Sequence, residues 1–376
     1  MTQKKLQIFI FINIFLLSII VNSIPPLMTT LQESFNMSVG ISSFIPFSRT
    51  VGNMIISFFG AFIIAILGLR SSLVIGVGFE VLGTALFIFS NNAYILILSM
   101  FFLGAAMGQS ILALISMFDH LDEKYQKYGM FHAFFGFGGI SGPLFISYVL
   151  KNNMNYKIPF IFYLLISILI EIFMLVKKVP ENVKYKAFKL TEAIDILGRK
   201  FIIYMLLIFT LYSGTEIGVI NWGANLFNDY FHFSKEQASI FISFFWITFT
   251  FGRLITDRLY KKLEMKITVL FVLFSIIDLI LIFISGKYSP YFFSLLGFLL
   301  GPIFPATQKY LNANLSHREV GLISGMVSLS IGIGAAVIVP FMGFLGDYSI
   351  IYGYIVPIIS MIFVLIISSG ILKIKN

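Results

Sequence analysis

Glu216 is the residue whose type and setting point most directly to chemistry. The run YSGTEIGVINWGANLF (212–227) contains this carboxylate and no other charged residue, and the preceding run FIIYMLLIF (201–209) contains no charge. A carboxyl group among apolar residues can bind a proton near neutral pH and release it when water reaches it. Trp222 lies in the same run and offers an aromatic face on which the C–H face of a sugar ring can pack. The run therefore predicts proton binding at Glu216, with Trp222 as a candidate substrate contact.

Both residues also have structural interpretations. Glu216 could form an ion pair, for example with Arg49, or remain a neutral acid that hydrogen-bonds its neighbours. Trp222 could belong to the aromatic belt at a membrane interface. In an ideal helix Trp222 points about 120° away from Glu216, so both could touch one ligand only if the glycines of this run distort the helix.

The elements that must position these side chains are membrane helices. Of 376 residues, 58% are hydrophobic and 11% are charged, whereas a soluble protein carries about 25% charged residues. Apolar runs of about 20 residues, the length that a helix needs to cross a bilayer, fill most of the chain. We predict an all-α membrane protein with twelve transmembrane helices. These spans 1 to 12 cover approximately 6–31, 39–67, 72–90, 93–118, 129–150, 157–176, 200–227, 235–260, 266–285, 289–312, 320–345 and 349–372.

The longest polar segment, at 177–200, lies between spans 6 and 7. It predicts an N-terminal six-helix bundle at 1–177, a cytoplasmic linker at 178–198 and a C-terminal six-helix bundle at 199–376. With the N-terminus inside, 20 of the 26 Lys and Arg residues fall in cytoplasmic segments. This bias predicts that both termini are cytoplasmic. It also accounts for the net charge of +9, so we expect no nucleic-acid partner.

The two predicted bundles repeat each other. Short glycine- and serine-containing motifs recur in the same order at offsets of 192–197 residues, which indicates an internal duplication. The matched pairs are Gly60 and Gly252, Gly104 and Gly301, Gly138 and Gly334, and Ser38 and Ser234. Duplicated six-span halves are typical of secondary transporters whose substrate site lies near the membrane midplane.

These features resemble the major facilitator superfamily, in particular the twelve spans, the basic central loop and the run GRLITDR (252–258). Within it, the run at 212–227, FHAFFGFGGISGPLF (131–145) and FLLGPIFPA (298–306) resemble spans 7, 5 and 10 of the fucose:proton symporter family. The resemblance implies a pseudo-symmetric major facilitator fold with a cavity lined by spans 1, 4, 7 and 10. It implies a carrier, not an enzyme, with no cofactor and no resident metal.

Polar side chains fall on one face of each of these four spans, and amides that faced lipid would be costly. We therefore expect substrate contacts from Asn22, Gln109, Trp222, Asn225, Gln308 and Asn312. The alternative is that the amides only hydrogen-bond neighbouring helices. Where the family's fucose transporters carry acids in spans 1 and 4, this chain has Asn22 and apolar or amide residues around Gln109.

The resemblance also implies gating charges in the cytoplasmic signature at Arg253, Asp257 and Arg258. His132, one turn into span 5, could join a proton path or could serve in capping or packing. An intramembrane enzyme would need a nucleophile–base pair or a metal cluster, and neither is evident among four scattered histidines and no cysteine.

The interpretation that unites these features is a secondary active transporter that imports a monosaccharide with a proton by alternating access. Sodium coupling, uncoupled facilitation and proton-driven export of drugs or metabolites are the alternatives. The expected partners are a small polar solute, the coupling ion and the lipid bilayer. We expect a monomeric, multi-pass protein of the plasma (inner) membrane.

Overall fold

The computed structural model describes residues 2–176 and 198–375. These residues form helices and short connections, with no strand among them. Eleven helices in the described residues are long and apolar enough to cross a membrane, judged by length and composition. The predicted linker at 178–198 lies outside the described residues except for residue 198, so its limits stay a prediction.

The first compact unit contains described residues 2–37 and 44–176. A 3₁₀ turn at Pro25–Leu27 separates the two helical parts of span 1. The helices of this unit, which hold predicted spans 1 to 6, are Gln3–Asn22, Met28–Phe35, Phe44–Phe89, Ala93–Asp119, Tyr128–Lys151 and Ile158–Val176.

Spans 2 and 3 form one element of 46 residues, Phe44–Phe89, which is interrupted at Gly68. Gly68 has φ 81° and ψ 168°, a backbone conformation that is essentially restricted to glycine. The interruption falls between predicted spans 2 and 3, so this element accounts for two of the twelve spans. The predicted twelve-helix, all-α architecture is confirmed.

The second compact unit contains residues 38–43 and 198–375. Span 7 continues into a π-helical turn at Leu226–Tyr230, and span 10 is divided near Gly301. The helices are Val39–Ser42, Lys200–Asn225, Lys235–Leu263, Lys266–Ile284, Ser289–Leu300, Ile303–Ala313, His317–Gly346 and Ile350–Lys375.

The glycines of the predicted repeat make equivalent helix contacts inside each unit. Gly104 and Gly301 lie against backbone carbonyls of spans 2 and 8, respectively. Gly334 lies in the same way against a carbonyl of span 7, whereas Gly138 lies against the Ser18 side chain and the backbone nitrogen of Ile19 in span 1. A side chain at any of these positions would overlap the neighbouring helix, so the repeat conserves close helix packing of the kind that small residues permit in membranes.

Gly104→Ala is expected to lower the thermal unfolding midpoint in detergent by several degrees. The added Cβ would overlap the carbonyl group of Arg49, and overpacking of this kind costs about 1–3 kcal/mol. Gly370→Ala is the matched control, since no atom of the described residues lies within 4 Å of a Cβ added there and alanine is the better helix former. Equal losses in the two variants would contradict the packing explanation.

Reciprocal capping boxes fix the beginnings of spans 8 and 11. Ser234 and Gln237 form the first one, as their spacing predicts. Ser316 and Glu319 form the second, and Glu319 also pairs with Arg199 at 2.6 Å between Oε1 and Nη2. The hydrogen bonds from Ser316, followed by the one from Arg199, hold the pKa of Glu319 below its ordinary value.

The stability of the protein in detergent is therefore expected to depend on Glu319 at acidic pH. A carboxyl group with a lowered folded-state pKa contributes stability above its unfolded-state pKa of about 4.3 and loses it as the pH falls through the lower folded-state value. Wild type should exceed Glu319→Gln in unfolding midpoint at pH 7, and the difference should shrink below about pH 4. A pH-independent difference would contradict the ionic contribution.

Candidate functional site

Glu216 lies opposite a cationic partner inside the second unit. Its Oε1 atom is 3.7 Å from Nη2 of Arg253 in span 8. This distance exceeds the roughly 2.7–2.9 Å that is typical of a charge-assisted hydrogen bond in proteins. The two side chains are 14% and 38% exposed, respectively. Arg49, the partner considered from sequence, donates instead to the carbonyl group of Val21. The carboxylate therefore has a partner that attracts it without a short, closed contact.

Arg253 has a second contact that does not depend on the charge of Glu216. Its guanidinium group lies over the ring of Phe249, 4.3 Å from the centroid, a cation–π arrangement. One turn before Glu216, the buried Tyr212 hydroxyl donates to the Leu300 carbonyl at 2.8 Å. Leu300 ends the first half of span 10, so spans 7, 8 and 10 meet around Glu216.

This arrangement can change its charge state without a metal or a cofactor. When a proton binds to Glu216, the carboxyl group becomes neutral and its attraction to Arg253 disappears. The guanidinium group then has N–H donors to offer to another acceptor. Loss of the proton restores the ion pair. Protonation of Glu216 could thus switch Arg253 between a contact with a solute and its contact with the carboxylate.

Trp222 and Asn225 are fully buried on span 7. The indole N–H of Trp222 donates to the Val339 carbonyl of span 11 at 3.0 Å, and the ring lies against Gly343. Asn225 donates to Asp229 at 2.7 Å. Span 7 is helical through this region, and the distortion that would bring Trp222 beside Glu216 is not seen. The position of Trp222 favours packing between spans 7 and 11.

The predicted residues of span 10 and the signature run occupy other surroundings. Gln308 donates to Asn312 at 2.9 Å, one turn further along the helix, and both are half-buried. Asp257 accepts from Lys309 at 2.9 Å, while Arg258 is exposed. Of the three signature charges, Arg253 alone is paired with Glu216. The sequence did not predict that pairing: Glu216 stands out as a charge within an apolar run, whereas Arg253 belongs to the cytoplasmic signature that the family resemblance implies.

In the first unit, Asn22 is buried and donates to the backbone carbonyl and the hydroxyl of Ser18, at 2.9 and 3.1 Å. Gln109 is fully buried, and neither of its amide atoms has a hydrogen-bond partner among the described residues. His132 is exposed and its ring lies beside Phe131. Because an unpaired buried amide is costly, Gln109 is the position in this unit where water or a polar solute would gain most.

Two further carboxyl groups are buried away from Glu216. Glu80 in span 3 accepts a hydrogen bond from Ser167 in span 6 at 2.6 Å. Asp278 in span 9 is 2% exposed, and neither of its oxygen atoms has a partner within the part of the chain that the structure describes. Both are therefore buried polar residues within membrane spans, and neither belongs to the group of residues from spans 7, 8 and 10 around Glu216.

The model of the Major Facilitator Superfamily matches residues 10–295. The chain belongs to the major facilitator superfamily. A Helicobacter pylori protein provisionally named a glucose/galactose transporter is 23% identical over 224 residues, 57% of this chain and 54% of that protein. This major facilitator thus spans about half the length of the curated relative that it matches.

Solved structures share its fold over almost the whole chain. The E. coli fucose:proton symporter FucP has a TM-score of 0.66 at 16% identity and covers 98% of this chain and 99% of its own. The nucleoside transporter NupG has a TM-score of 0.77 at 13% identity and covers 99% of both chains. At these identities the likeness shows the fold alone. The superfamily consists of multi-pass membrane carriers and not of enzymes, and this chain belongs to it.

Trp222→Phe is expected to lower the thermal unfolding midpoint in detergent by a few degrees. The substitution leaves the buried Val339 carbonyl without its indole donor, and an unpaired buried polar group costs about 1–3 kcal/mol. Tyr94→Phe, at a side chain that is 85% exposed, is the control that removes one polar aromatic atom without a loss. An unchanged midpoint in Trp222→Phe would contradict the packing role.

Proposed function

We propose that this major facilitator imports a monosaccharide together with a proton by alternating access, and that Glu216 binds the proton. The choice of a sugar is supported by the provisional name of the Helicobacter pylori relative and by the short motifs shared with the fucose:proton symporter family. The coupling role rests on one observation, the open ion pair between Glu216 and Arg253 at 3.7 Å.

In the proposed cycle, a proton from the external side neutralises Glu216 and releases Arg253. The guanidinium group then donates hydrogen bonds to hydroxyl groups of the sugar. After the protein opens inward, water ionises Glu216, the proton leaves to the cytoplasm and Arg253 returns to the carboxylate. Each charge that moves inward supplies about 2.3 kcal/mol per 100 mV of membrane potential.

The remaining sugar contacts are proposed from amides in each unit. In the first unit, neither amide atom of Gln109 has a partner among the residues that the structure describes, and Asn22 lies on span 1. In the second unit, Asn225, Gln308 and Asn312 contribute amides that currently bond within their own helical segment. An exchange of these local bonds for sugar hydroxyl groups would keep every polar group paired, which a dry site requires.

We also propose that the protein works as a monomer in the plasma (inner) membrane with both termini in the cytoplasm. The concentration of basic residues in one set of loops supports this orientation. Proton flow would then follow the usual direction, from outside to inside. This orientation makes Arg258 and the Asp257–Lys309 pair cytoplasmic, where we propose that they contribute to the inner gate with His132.

Reconstituted protein should accumulate a monosaccharide when the outside is made acidic. Glu216→Gln, which cannot release a proton, is expected to lose accumulation against a gradient by at least tenfold and to keep exchange of labelled for unlabelled sugar. Glu264→Gln, at an exposed position near the end of span 8, is the control for loss of one carboxylate. Uptake of a sugar panel is measured with and without the imposed pH gradient.

The outcomes separate the alternatives. Accumulation that survives in Glu216→Gln would remove this residue from coupling. Accumulation driven by a sodium gradient instead of a pH gradient would identify the other ion. Equilibration of sugar that no gradient alters would indicate a facilitator, and extrusion of dyes without sugar uptake would indicate an exporter.

A further inference from the structure

Residues 38–43 belong to the second unit, although both of their neighbours in the chain, residues 37 and 44, belong to the first. The segment contains the short helix Val39–Ser42. It connects spans 1 and 2, which the predicted topology places on the external side. A short piece of the N-terminal half is therefore built into the C-terminal unit.

Asp347 holds this segment through both of its carboxylate oxygen atoms. The backbone N–H of Gly40 donates to Oδ1 at 2.7 Å, and the hydroxyl of Ser38 donates to Oδ2 at 3.1 Å. Ser38 also caps the short helix by accepting from the N–H of Ile41 at 3.2 Å. Asp347 follows directly after the end of span 11, so span 11 carries the anchor.

Small residues allow the segment 38–43 and span 11 to pack closely against each other. On span 11, Gly343 lies against Ser43 and Gly346 lies against Val39. A Cβ at Gly40 would overlap the carboxylate of Asp347. Ser43 is fully buried. The segment is thus seated on span 11 by two hydrogen bonds to one carboxylate and by close backbone packing.

We propose that Asp347 is a positioning residue of the transport cycle, a latch that holds residues 38–43 on span 11 and must release during that cycle. No connecting residues stand between the segment and the first unit. Since one extended residue spans about 3.5 Å, relative motion of the units beyond a few ångströms must pull the segment from Asp347. This inference rests on the alternating access that is part of the proposed function.

The latch can be tested without any substrate, because the chain contains no cysteine and an introduced thiol is the sole target. Ser43→Cys in an otherwise unchanged chain should react slowly with a membrane-impermeant maleimide added outside. Addition of Asp347→Ala is expected to raise that reaction rate about fivefold. Asp347→Asn can still accept a hydrogen bond from Gly40, so it is expected to raise the rate by a smaller factor. Asn152→Cys, at an exposed position in another predicted external loop, should react at the same rate in both backgrounds. Equal rates at Ser43→Cys would overturn the latch.

Cross-linking tests whether release is required for transport. Ser38→Cys with Asp347→Cys places two thiols where the native side chains meet, and a short bifunctional thiosulfonate should join them. Uptake is expected to fall at least tenfold on cross-linking and to return on reduction, while each single cysteine variant stays unaffected by the reagent. Full uptake by the cross-linked protein would refute the requirement for release. If the reduced protein carries no sugar at all, the proposed function fails, and the maleimide experiment still decides the latch.

Discussion

The interior of a bilayer offers no hydrogen-bond partners, and the rest of this structure follows from that constraint. Many buried hydroxyl and amide groups donate a hydrogen bond to a carbonyl about one turn earlier in the same helix. Asn22 does so with Ser18, and Ser213 with Phe209. Such bonds pair the polar group locally and leave nothing for a solute. Glu216, Gln109 and Asp278 are among the buried polar residues that lack such a local bond.

Close packing solves a different problem, since apolar surfaces do not drive association in lipid. The helices of each unit approach through glycine, and the same pairs of helices use it in both units. The internal repeat is therefore a repeat of backbone contacts more than of side chains. This explains why the recurrent motifs are glycine-centred while the charged residues at comparable positions differ.

Composition and spacing were sufficient for the twelve helices, the capping box at Ser234 and the selection of Glu216, because each depends on residues close together in the chain. The partner of Glu216 was not predictable in this way. Arg253 reaches it through the rotation and approach of two helices, which depend on packing across the whole unit. The same limit applies to Trp222, since its place beside Glu216 or against Gly343 is decided by helix orientation. The seating of residues 38–43 depends on Asp347, over 300 positions away.

The stacking of Arg253 on Phe249 has a consequence for how protonation energy is used. Because Phe249 continues to hold the guanidinium group, Arg253 would keep its position when Glu216 is neutralised and would not turn into solvent. Binding of a proton would then alter the local electric field while the side chains of Arg253 and Phe249 keep their positions. In the proposed proton-coupled cycle, the charge of Glu216 would change at almost no cost in conformational entropy, and the free energy of the gradient would remain for the larger movement of helices.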